Sequence, residues 1–381
     1  MRSVSFYTLG CKLNQLETEA VAESFRAAGF AVLPWEDAAD LRIINTCTVT
    51  SKAEQKARRI LRLALKKTPV IVTGCYAQLD GRELSEAGRN GGGDRLFILP
   101  GALKDGLLDL PARLNGSGGI EEGIRNWMES RDPGKTGADG GGGENTGAFR
   151  FNPRDFSFHS RAFLKIQDGC NSNCAYCRVP LARGKSVSLE AAEVLARLKA
   201  LEERGFAEAV LTGVNITQYS CPGKGQCGLG GLLELLLGGT RRIALRLSSL
   251  EPNGACGPLE PGFLSIVADS RIRPHFHLSV QSGSAKILSA MGRPYTPGDI
   301  RDAVAALRGI RDDPFLACDI ITGFPGEEAE QFEETWGLCG DLDFAWIHPF
   351  PYSPRRGTRA FSLGPPVNGK EVLGRMKRLL E

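Results

Sequence analysis

The sequence has no long hydrophobic run. Its 381 residues contain no uninterrupted apolar stretch of about 18 residues, the minimum for a membrane-spanning helix. The opening segment, MRSVSFYTLGCKLNQ, also lacks the apolar centre of a secretory signal peptide. The sequence therefore predicts a cytoplasmic protein, not attached to a membrane, whose thiols stay reduced.

The chain also lacks a strong net charge. It has 47 basic and 44 acidic residues, a formal charge of +3. So small an excess does not by itself indicate a nucleic-acid or membrane partner, so basic residues matter only where they cluster. The length is enough for two or three domains, each with its own core.

The cysteines do not fit a disulfide framework. There are 11 of them, an odd number, and they occur in groups along the chain. In a reducing compartment, grouped thiols most often bind metal or carry out redox chemistry. The function therefore depends on which cysteines act together.

A glycine-rich segment divides the chain. The segment from Gly134 to Gly147, GKTGADGGGGENTG, is half glycine, a composition typical of flexible linkers. We predict a first domain over 1–115, a linker over 116–149, a second domain over 150–360 and a final helix over 361–381. The predicted fold class is α/β for both domains.

The first domain alternates strand and helix patterns. The predicted strands are Val4–Leu9, Leu41–Ile44 and Pro69–Thr73, as in an open parallel sheet. The intervening helices are predicted to begin at two caps, Asn14 with Glu17 and Ser51 with Glu54.

Three cysteines follow these strands. Cys11, Cys47 and Cys75 each come shortly after the carboxyl end of a strand and before a helix. In an open parallel sheet those ends lie on one rim, where ligands bind. We therefore expect these thiols to lie together, although three buried cysteines could also reach such positions by chance.

The second domain repeats strand and helix in a pattern that predicts a partial (β/α)6 barrel. Parallel strands joined by helices place their polar loops at the strand carboxyl ends, where the chemistry of barrel enzymes occurs. The predicted strands are Phe163–Gln167, Ala209–Thr212, Ile243–Leu247, Phe276–Val280, Phe315–Ile321 and Phe344–His348.

The loop after the first barrel strand carries Cys170, Cys174 and Cys177 in a C-x3-C-x2-C pattern. Three thiolates on one short loop indicate a metal centre. Structural zinc requires four closed ligands, and no fourth cysteine or suitable histidine is near. A four-iron cluster held by three thiolates keeps one iron open for another ligand.

This motif, with Tyr176 before its last cysteine, resembles the signature of the radical S-adenosylmethionine (SAM) enzymes, which use a partial barrel. The resemblance implies that the open iron binds the amino and carboxylate groups of SAM, and that an electron from the cluster cleaves SAM to a 5′-deoxyadenosyl radical. The cofactor then supplies the difficult chemistry and the protein positions it.

Further blocks resemble the methylthiotransferases within that superfamily. They include TLGCKLNQLETE, NTCTVT, TGCYAQ, LTGVNI, LRLSSLEP, HLSVQSGS and DIITGFPGE, and they cover nearly the whole chain. The resemblance implies a second four-iron cluster, held by Cys11, Cys47 and Cys75. It also implies replacement of a C–H group by a methylthio group.

Lys12, Asn14 and Gln15 resemble the branch that acts on threonylcarbamoyladenosine beside the tRNA anticodon. Isopentenyladenosine in tRNA or a ribosomal-protein residue are alternative substrates. An iron–sulfur binding or electron-transfer protein would use the cysteines but not the barrel loops, and a zinc-dependent nucleic-acid binder lacks its fourth ligand.

The resemblance also implies cofactor and RNA contacts. The predicted SAM-binding residues are Tyr176, Thr212, Gly213, Asn215, Arg246, Ser248, Glu251 and Gln281. Basic clusters predict RNA contacts by Arg58, Arg59, Arg62, Arg355 and Arg356. An external electron donor is a further implied partner. Family members usually continue into an RNA-binding TRAM domain, which we expect to be absent here.

Overall fold

A computed structural model describes residues 1–89, 93–131, 146–158, 161–222, 227–253 and 261–381. Two compact units make up the chain. The first is 1–160 together with 181–183, and the second is 161–180 together with 184–381. Among the described residues, no helix is both long and apolar enough to span a bilayer.

The described part of the first unit is built on a parallel sheet. Its strands are β1 (Ser3–Thr8), β2 (Ala31–Leu33), β3 (Leu41–Thr46), β4 (Val70–Gly74) and β5 (Leu96–Ile98). Their order is β2-β1-β3-β4-β5, which makes the boundary between β1 and β3 the topological switch point. Every residue of β3 and β4 is buried, as expected for the inner strands of a parallel sheet.

Helices cover this sheet. They are α1 (Lys12–Ala27), α2 (Ser51–Leu65), α3 (Cys75–Leu79), α4 (Gly81–Gly88), α5 (Leu110–Asn115) and α6 (Ile120–Glu129). Helix α6 lies within the segment expected to be a linker, and its Ile124 and Trp127 are buried. The glycine-rich stretch around Gly134–Gly147 falls mostly outside the described residues.

Both predicted helix caps in the first unit are wrong. Helix α1 begins at Lys12 with Cys11 as its N-cap, and both Asn14 and Glu17 are buried within the helix. The cap of α2 is Thr50, whose side chain accepts a hydrogen bond from the Ala53 N–H, so Ser51 is already helical. Tertiary bonds explain the first error, because the Asn14 side chain binds backbone carbonyls of neighbouring strands.

The second unit contains the six predicted barrel strands in order. They are β6 (Ala162–Lys165), β9 (Glu208–Thr212), β10 (Ala244–Leu247), β11 (His275–Gln281), β12 (Phe315–Thr322) and β13 (Trp346–Pro351). They form the sheets β10-β9-β6 and β11-β12-β13, linked by parallel bridges at Leu245–Ile272 and Leu250–Leu278. The last strand begins two residues later than predicted, and all pairings are parallel.

The other elements of the second unit are helices on the outer face of the barrel strands and a short strand pair that follows the first barrel strand. A short antiparallel pair, β7 (Gln167–Asp168) and β8 (Val187–Ser188), extends the first barrel strand. The helices are α7 (Val179–Arg183), α8 (Ala191–Glu203), α9 (Leu229–Gly239), α10 (Pro261–Val267), α11 (Ala285–Met291), α12 (Pro297–Ile310), α13 (Ala329–Asp341) and α14 (Gly369–Leu380).

Candidate metal centres and cofactor site

The first cysteine group lies on the rim of the N-terminal sheet. Cys11 caps α1 directly after β1, Cys47 follows the last residue of β3, and Cys75 is the first residue of α3 after β4. Burial, together with the neighbouring thiols of Cys11 and Cys75, raises the pKa of Cys47 to about 12. The parallel topology therefore brings the three thiols close together, as predicted.

Side chains of the strand ends tie this rim together. Asn14 donates through Nδ2 to the carbonyls of Leu9 at 2.7 Å and Thr46 at 3.1 Å, linking the loops of Cys11 and Cys47. Thr46 donates through Oγ1 to the Thr73 carbonyl at 2.5 Å and accepts from the Ala77 N–H at 3.3 Å. These bonds fix the separation of the three loops.

Two glycines set the chain direction just before a cysteine. Gly74 precedes Cys75 with φ of +98°, and Gly169 precedes Cys170 with φ of +68°. A Cβ at either position would overlap a backbone carbonyl oxygen, that of Thr46 or that of Lys185 respectively. Only glycine fits both the left-handed backbone and the close approach.

The second cysteine group occupies the loop after β7. Burial, together with the nearby thiols of Cys174 and Cys170, raises the pKa of Cys177 to about 12. Backbone N–H groups of Ser172 and Val179 point at the sulfurs of Cys170 and Cys177, each at 3.4 Å. Such N–H donors stabilise thiolates, the form that binds metal.

Residues far away in sequence anchor this loop. Gln218, beyond β9, accepts from the Asn171 N–H at 2.9 Å and donates to the Ser172 hydroxyl at 2.7 Å. On the other side, the Ala175 N–H donates to the Met291 carbonyl at 2.7 Å. The loop is therefore held by polar groups of the barrel and not by its own sequence alone.

Arg293 is a residue that sequence reasoning missed. Its guanidinium lies 3.0 Å from the Cys174 sulfur and 3.1 Å from the Glu251 carboxylate. Its Nε also donates to the Tyr295 hydroxyl at 2.7 Å. In the sequence this arginine stands in the string MGRPYT, between a glycine that ends a helix and a proline. That local pattern gave no indication of contact with a cysteine more than a hundred residues away.

The predicted SAM-binding residues after β9 lie at its carboxyl end, near the cluster loop. Gln167 links them, because its Oε1 accepts from the Asn215 N–H at 2.9 Å while its Nε2 donates to the Gly169 carbonyl at 2.7 Å. Thr212 is the buried last residue of β9, and a Cβ at Gly213 would come within 2.6 Å of Gln167 Oε1.

Ser248, Glu251 and Gln281 also follow strand ends. Ser248 donates its N–H to the Leu211 carbonyl at 3.1 Å, and Glu251 pairs with Arg293. Gln281 ends β11 with φ of +67°, a conformation that non-glycine residues adopt rarely and that often marks functional sites.

Two further predicted cofactor residues have different surroundings. Tyr176 is half-buried and packs against the apolar cluster of Met291, Phe324 and Ala360, and its burial raises its pKa. Arg246 instead lies within β10 and donates to Glu208, at the amino end of β9, at 2.6 Å. Its guanidinium is thus engaged at the opposite end of the strands from the cysteine loop.

The predicted RNA-binding arginines divide by exposure. Arg59 and Arg62 on α2 and Arg356 near the chain end are exposed. Arg58 is half-buried and contacts Tyr76 and Glu83. Arg355 is only 4% exposed, so its guanidinium is not presented on the surface as a phosphate contact would require.

The other cysteines stand apart from the two groups. Cys318 and Cys339 are buried near each other between β12 and α13. Cys221 donates its N–H to the Cys227 carbonyl at 2.9 Å. Cys256 lies outside the described residues.

The donor sets suit iron–sulfur clusters. In each group two thiols lie close enough to raise the pKa of the third, and N–H donors are directed at sulfur, Val49 to Cys47 at 3.5 Å among them. Within the described ranges, no three His, Cys, Asp or Glu side chains meet at the spacing of a single metal ion. A four-iron cluster takes one thiolate per iron, so its ligands do not share a single ion.

Comparison with known proteins agrees with this geometry. Residues 3–91 match the family described as uncharacterized protein family UPF0004, and residues 164–339 match the radical SAM superfamily. The threonylcarbamoyladenosine tRNA methylthiotransferase MtaB of Treponema pallidum is 42% identical, over 100% of this chain and 87% of that protein. The chain belongs to the radical SAM methylthiotransferases.

Other relatives place the chain within that family. MtaB of Bacillus subtilis is 33% identical over 100% of this chain and 80% of its own length. A tRNA-2-methylthio-N(6)-dimethylallyladenosine synthase of Cereibacter sphaeroides is 31% identical over 99% of this chain and 82% of its own. The sequence-based assignment to this family and to the MtaB group is confirmed.

Solved structures support the fold. The radical SAM methyltransferase TsrM of Kitasatospora setae superposes with a TM-score of 0.59 at 16% identity, covering 92% of this chain and 73% of that one. The predicted α/β fold class is confirmed. Membership in the family also confirms the predicted cofactors, two [4Fe–4S] clusters and SAM.

Proposed function

We propose that this enzyme attaches a methylthio group to threonylcarbamoyladenosine beside the anticodon of tRNA. The observation that carries the proposal is the 42% identity, over the whole chain, to an enzyme named for that reaction. The relative named for dimethylallyladenosine is less similar, at 31%. The proposed substrate therefore follows the more similar group.

In this proposal the two cysteine groups hold different clusters. Cys11, Cys47 and Cys75 would hold one, and Cys170, Cys174 and Cys177 the other. With SAM bound, the second cluster supplies a radical able to remove hydrogen from an unactivated C–H bond. Because each group has three thiolates for four irons, each leaves one iron position without a cysteine.

The residues at the strand ends would orient SAM. Thr212 ends β9 and Gly213 and Asn215 follow it, while Ser248 and Glu251 follow β10 and Gln281 ends β11. Backbone and side-chain polar groups at these ends suit the amino and carboxylate groups of the cofactor. Tyr176 would pack beside the cluster loop and help to exclude water.

The substrate and partners follow from the same proposal. The exposed Arg59, Arg62 and Arg356 would contact RNA phosphates, whereas Arg58 and Arg355 would stabilise the fold. Electrons would come from an external donor, and the enzyme would act in the cytoplasm, where tRNA is modified.

Nucleoside mass spectrometry tests the proposal. tRNA from a strain lacking the gene should contain threonylcarbamoyladenosine without its methylthio group, and the wild-type gene should restore it. A gene encoding Cys174→Ala should not. Loss of a methylthio group from isopentenyladenosine instead would identify the alternative substrate, and an unchanged nucleoside profile would refute the tRNA function.

A further inference from the structure

The sheet β11-β12-β13 has two unlike faces. Phe276, Leu278 and Val280 on β11 alternate with side chains that point the other way, and all three are fully buried. The opposite face carries several ring side chains. We call this group the ring face, and it consists of His275, His277, Phe315, Trp346, His348 and Phe350.

Ring contacts join four members of the ring face around His348, and His275 stacks separately on Phe315 with 5.0 Å between ring centroids. His277 and His348 lie 5.3 Å apart between ring centroids, and His348 lies 6.0 Å from Trp346 and 6.5 Å from Phe350. The Trp346 Nε1–H donates to His348 Nδ1 at 3.2 Å. The rings of β13 thus form a row at positions i, i+2 and i+4 of one strand.

The large rings of this face are exposed. Trp346 is 54% exposed, Phe315 43% and Phe350 42%. Aromatic side chains that lie next to each other and stay in solvent commonly mark a binding surface. The proposed binding of SAM and of the two clusters uses none of these rings.

Charged groups on the neighbouring strands favour an anionic ligand. Arg246 alternates with the buried Leu245 and Leu247, and Arg273 precedes the first histidine of β11 by two residues. Both bind Glu208, at 2.6 Å and 2.8 Å, and Arg161 lies 3.3 Å from the same carboxylate. Three arginines against the carboxylates of Glu208 and of Asp319, which lies beside His277, leave one excess positive charge.

Flat rings together with basic groups are the usual means of holding unpaired nucleotides. Bases stack on aromatic side chains, and the phosphates meet the cations. An apolar protein partner would match the rings but not the arginines. The ring face also keeps polar edges, because His277 Nε2 lies 3.0 Å from the Asp319 carboxylate.

We propose that the ring face stacks an unpaired base of the substrate RNA, with Trp346 and Phe350 as the principal contacts. Arg161 and Arg273, both substantially exposed, would meet the adjoining phosphates. The inference rests on the proposed tRNA function, and it assigns a binding position on the barrel to an unpaired base of that RNA.

Binding of a synthetic anticodon stem-loop to the reconstituted full chain tests the inference. Trp346→Leu and Phe350→Leu should each raise the Kd for the stem-loop by about 5- to 160-fold, the range that corresponds to lost base stacking. The aromatic variant Trp346→Phe should bind within about threefold of wild type. The same RNA annealed to its complement should bind all of these proteins equally, because a duplex offers no unpaired base.

Trp336→Leu provides the matched control. Trp336 is 46% exposed on α13, where it contacts Arg378 and not the ring face. Its replacement should leave the Kd for the stem-loop unchanged. The chain has four tryptophans, of which Trp346 belongs to the ring face. Stem-loop binding should therefore quench part of the tryptophan fluorescence in wild type and in Trp336→Leu, and a smaller part of it in Trp346→Phe.

The outcomes separate the two claims. If the wild-type protein binds neither RNA, the proposed tRNA function fails. If it binds the stem-loop and the leucine variants bind equally well, the ring-face inference fails while the function stands. Equal weakening for stem-loop and duplex, or a change in oligomeric state in Trp346→Leu, would also overturn the inference, because either would assign the face a different role.

Discussion

The Arg293 guanidinium lies 3.0 Å from the sulfur of Cys174. The same side chain pairs with Glu251 and binds the hydroxyl of Tyr295, and it is 5% exposed. A buried cation thus stands beside one thiolate of the proposed radical SAM cluster. Hydrogen bonds and positive charge near cluster sulfurs raise the reduction potential, because they favour the more negative, reduced state.

Replacing Arg293 by methionine should lower the reduction potential of that cluster. If the two oxidation states differ in this interaction by about 1.4 kcal/mol, the potential should fall by about 60 mV. A redox titration followed by electron paramagnetic resonance measures it. Arg293→Lys, which keeps the charge, should recover part of the shift.

Arg271→Met is the control for this change. Arg271 is also a partly buried arginine of the second unit, and it donates to the carbonyls of Thr240 at 2.7 Å and Leu237 at 2.6 Å. Its loss should affect stability but not the cluster potential. Equal potentials in wild type and Arg293→Met would contradict the assigned role.

Gly74→Ala should destabilise the first unit and reduce cluster binding there. Left-handed backbone costs an alanine about 1 to 2 kcal/mol, and overlap with the Thr46 carbonyl adds to that cost. Gly29→Ala is the matched control, since Gly29 has φ of +87° but no atom within 4 Å of its added Cβ. Denaturant unfolding and iron analysis should show a clearly larger effect at Gly74, whereas similar effects would show that the close approach is unimportant.

Iron content should follow the two cysteine groups. Anaerobically reconstituted protein should hold about eight irons, and replacing Cys11, Cys47 and Cys75 together by alanine should remove about half. Cys174→Ala should abolish the reductive cleavage of SAM. Cys221→Ala, outside both groups, should preserve iron and cleavage, and unchanged iron in the triple variant would refute the first cluster.

The exposed basic side chains on α2 and directly after it should contribute to RNA affinity through contacts with phosphates. Replacing Lys56, Arg59 and Lys66 by glutamine should weaken tRNA binding and reduce the slope of log Kd against log salt by about 2. The same charge change at the exposed Lys199, Lys286 and Lys377 serves as the control. If both triple variants showed the same slope, the effect would come from net charge and not from the α2 surface.

Much of the fold could be predicted because its signals are local. The buried strands of both units read as β-branched or apolar runs, and each occurs within two or three residues of its predicted place. The helix caps were less predictable. Asn14 has the residue type and spacing of a cap, but tertiary hydrogen bonds to Leu9 and Thr46 place it inside α1.

The sequence by itself determined the two cysteine groups, because thiols after strand ends and a C-x3-C-x2-C loop indicate metal chemistry from residue type and spacing alone. It also determined the buried inner strands of the first unit and the six barrel strands, but not the edge strands β2 and β5 or the short pair β7 and β8. Only the tertiary structure decided which arginine meets a cysteine sulfur, which basic residues are buried, and that rings from β11, β12 and β13 share one exposed face. Those contacts join residues far apart in the chain, so they depend on how the strands pack and not on any local pattern.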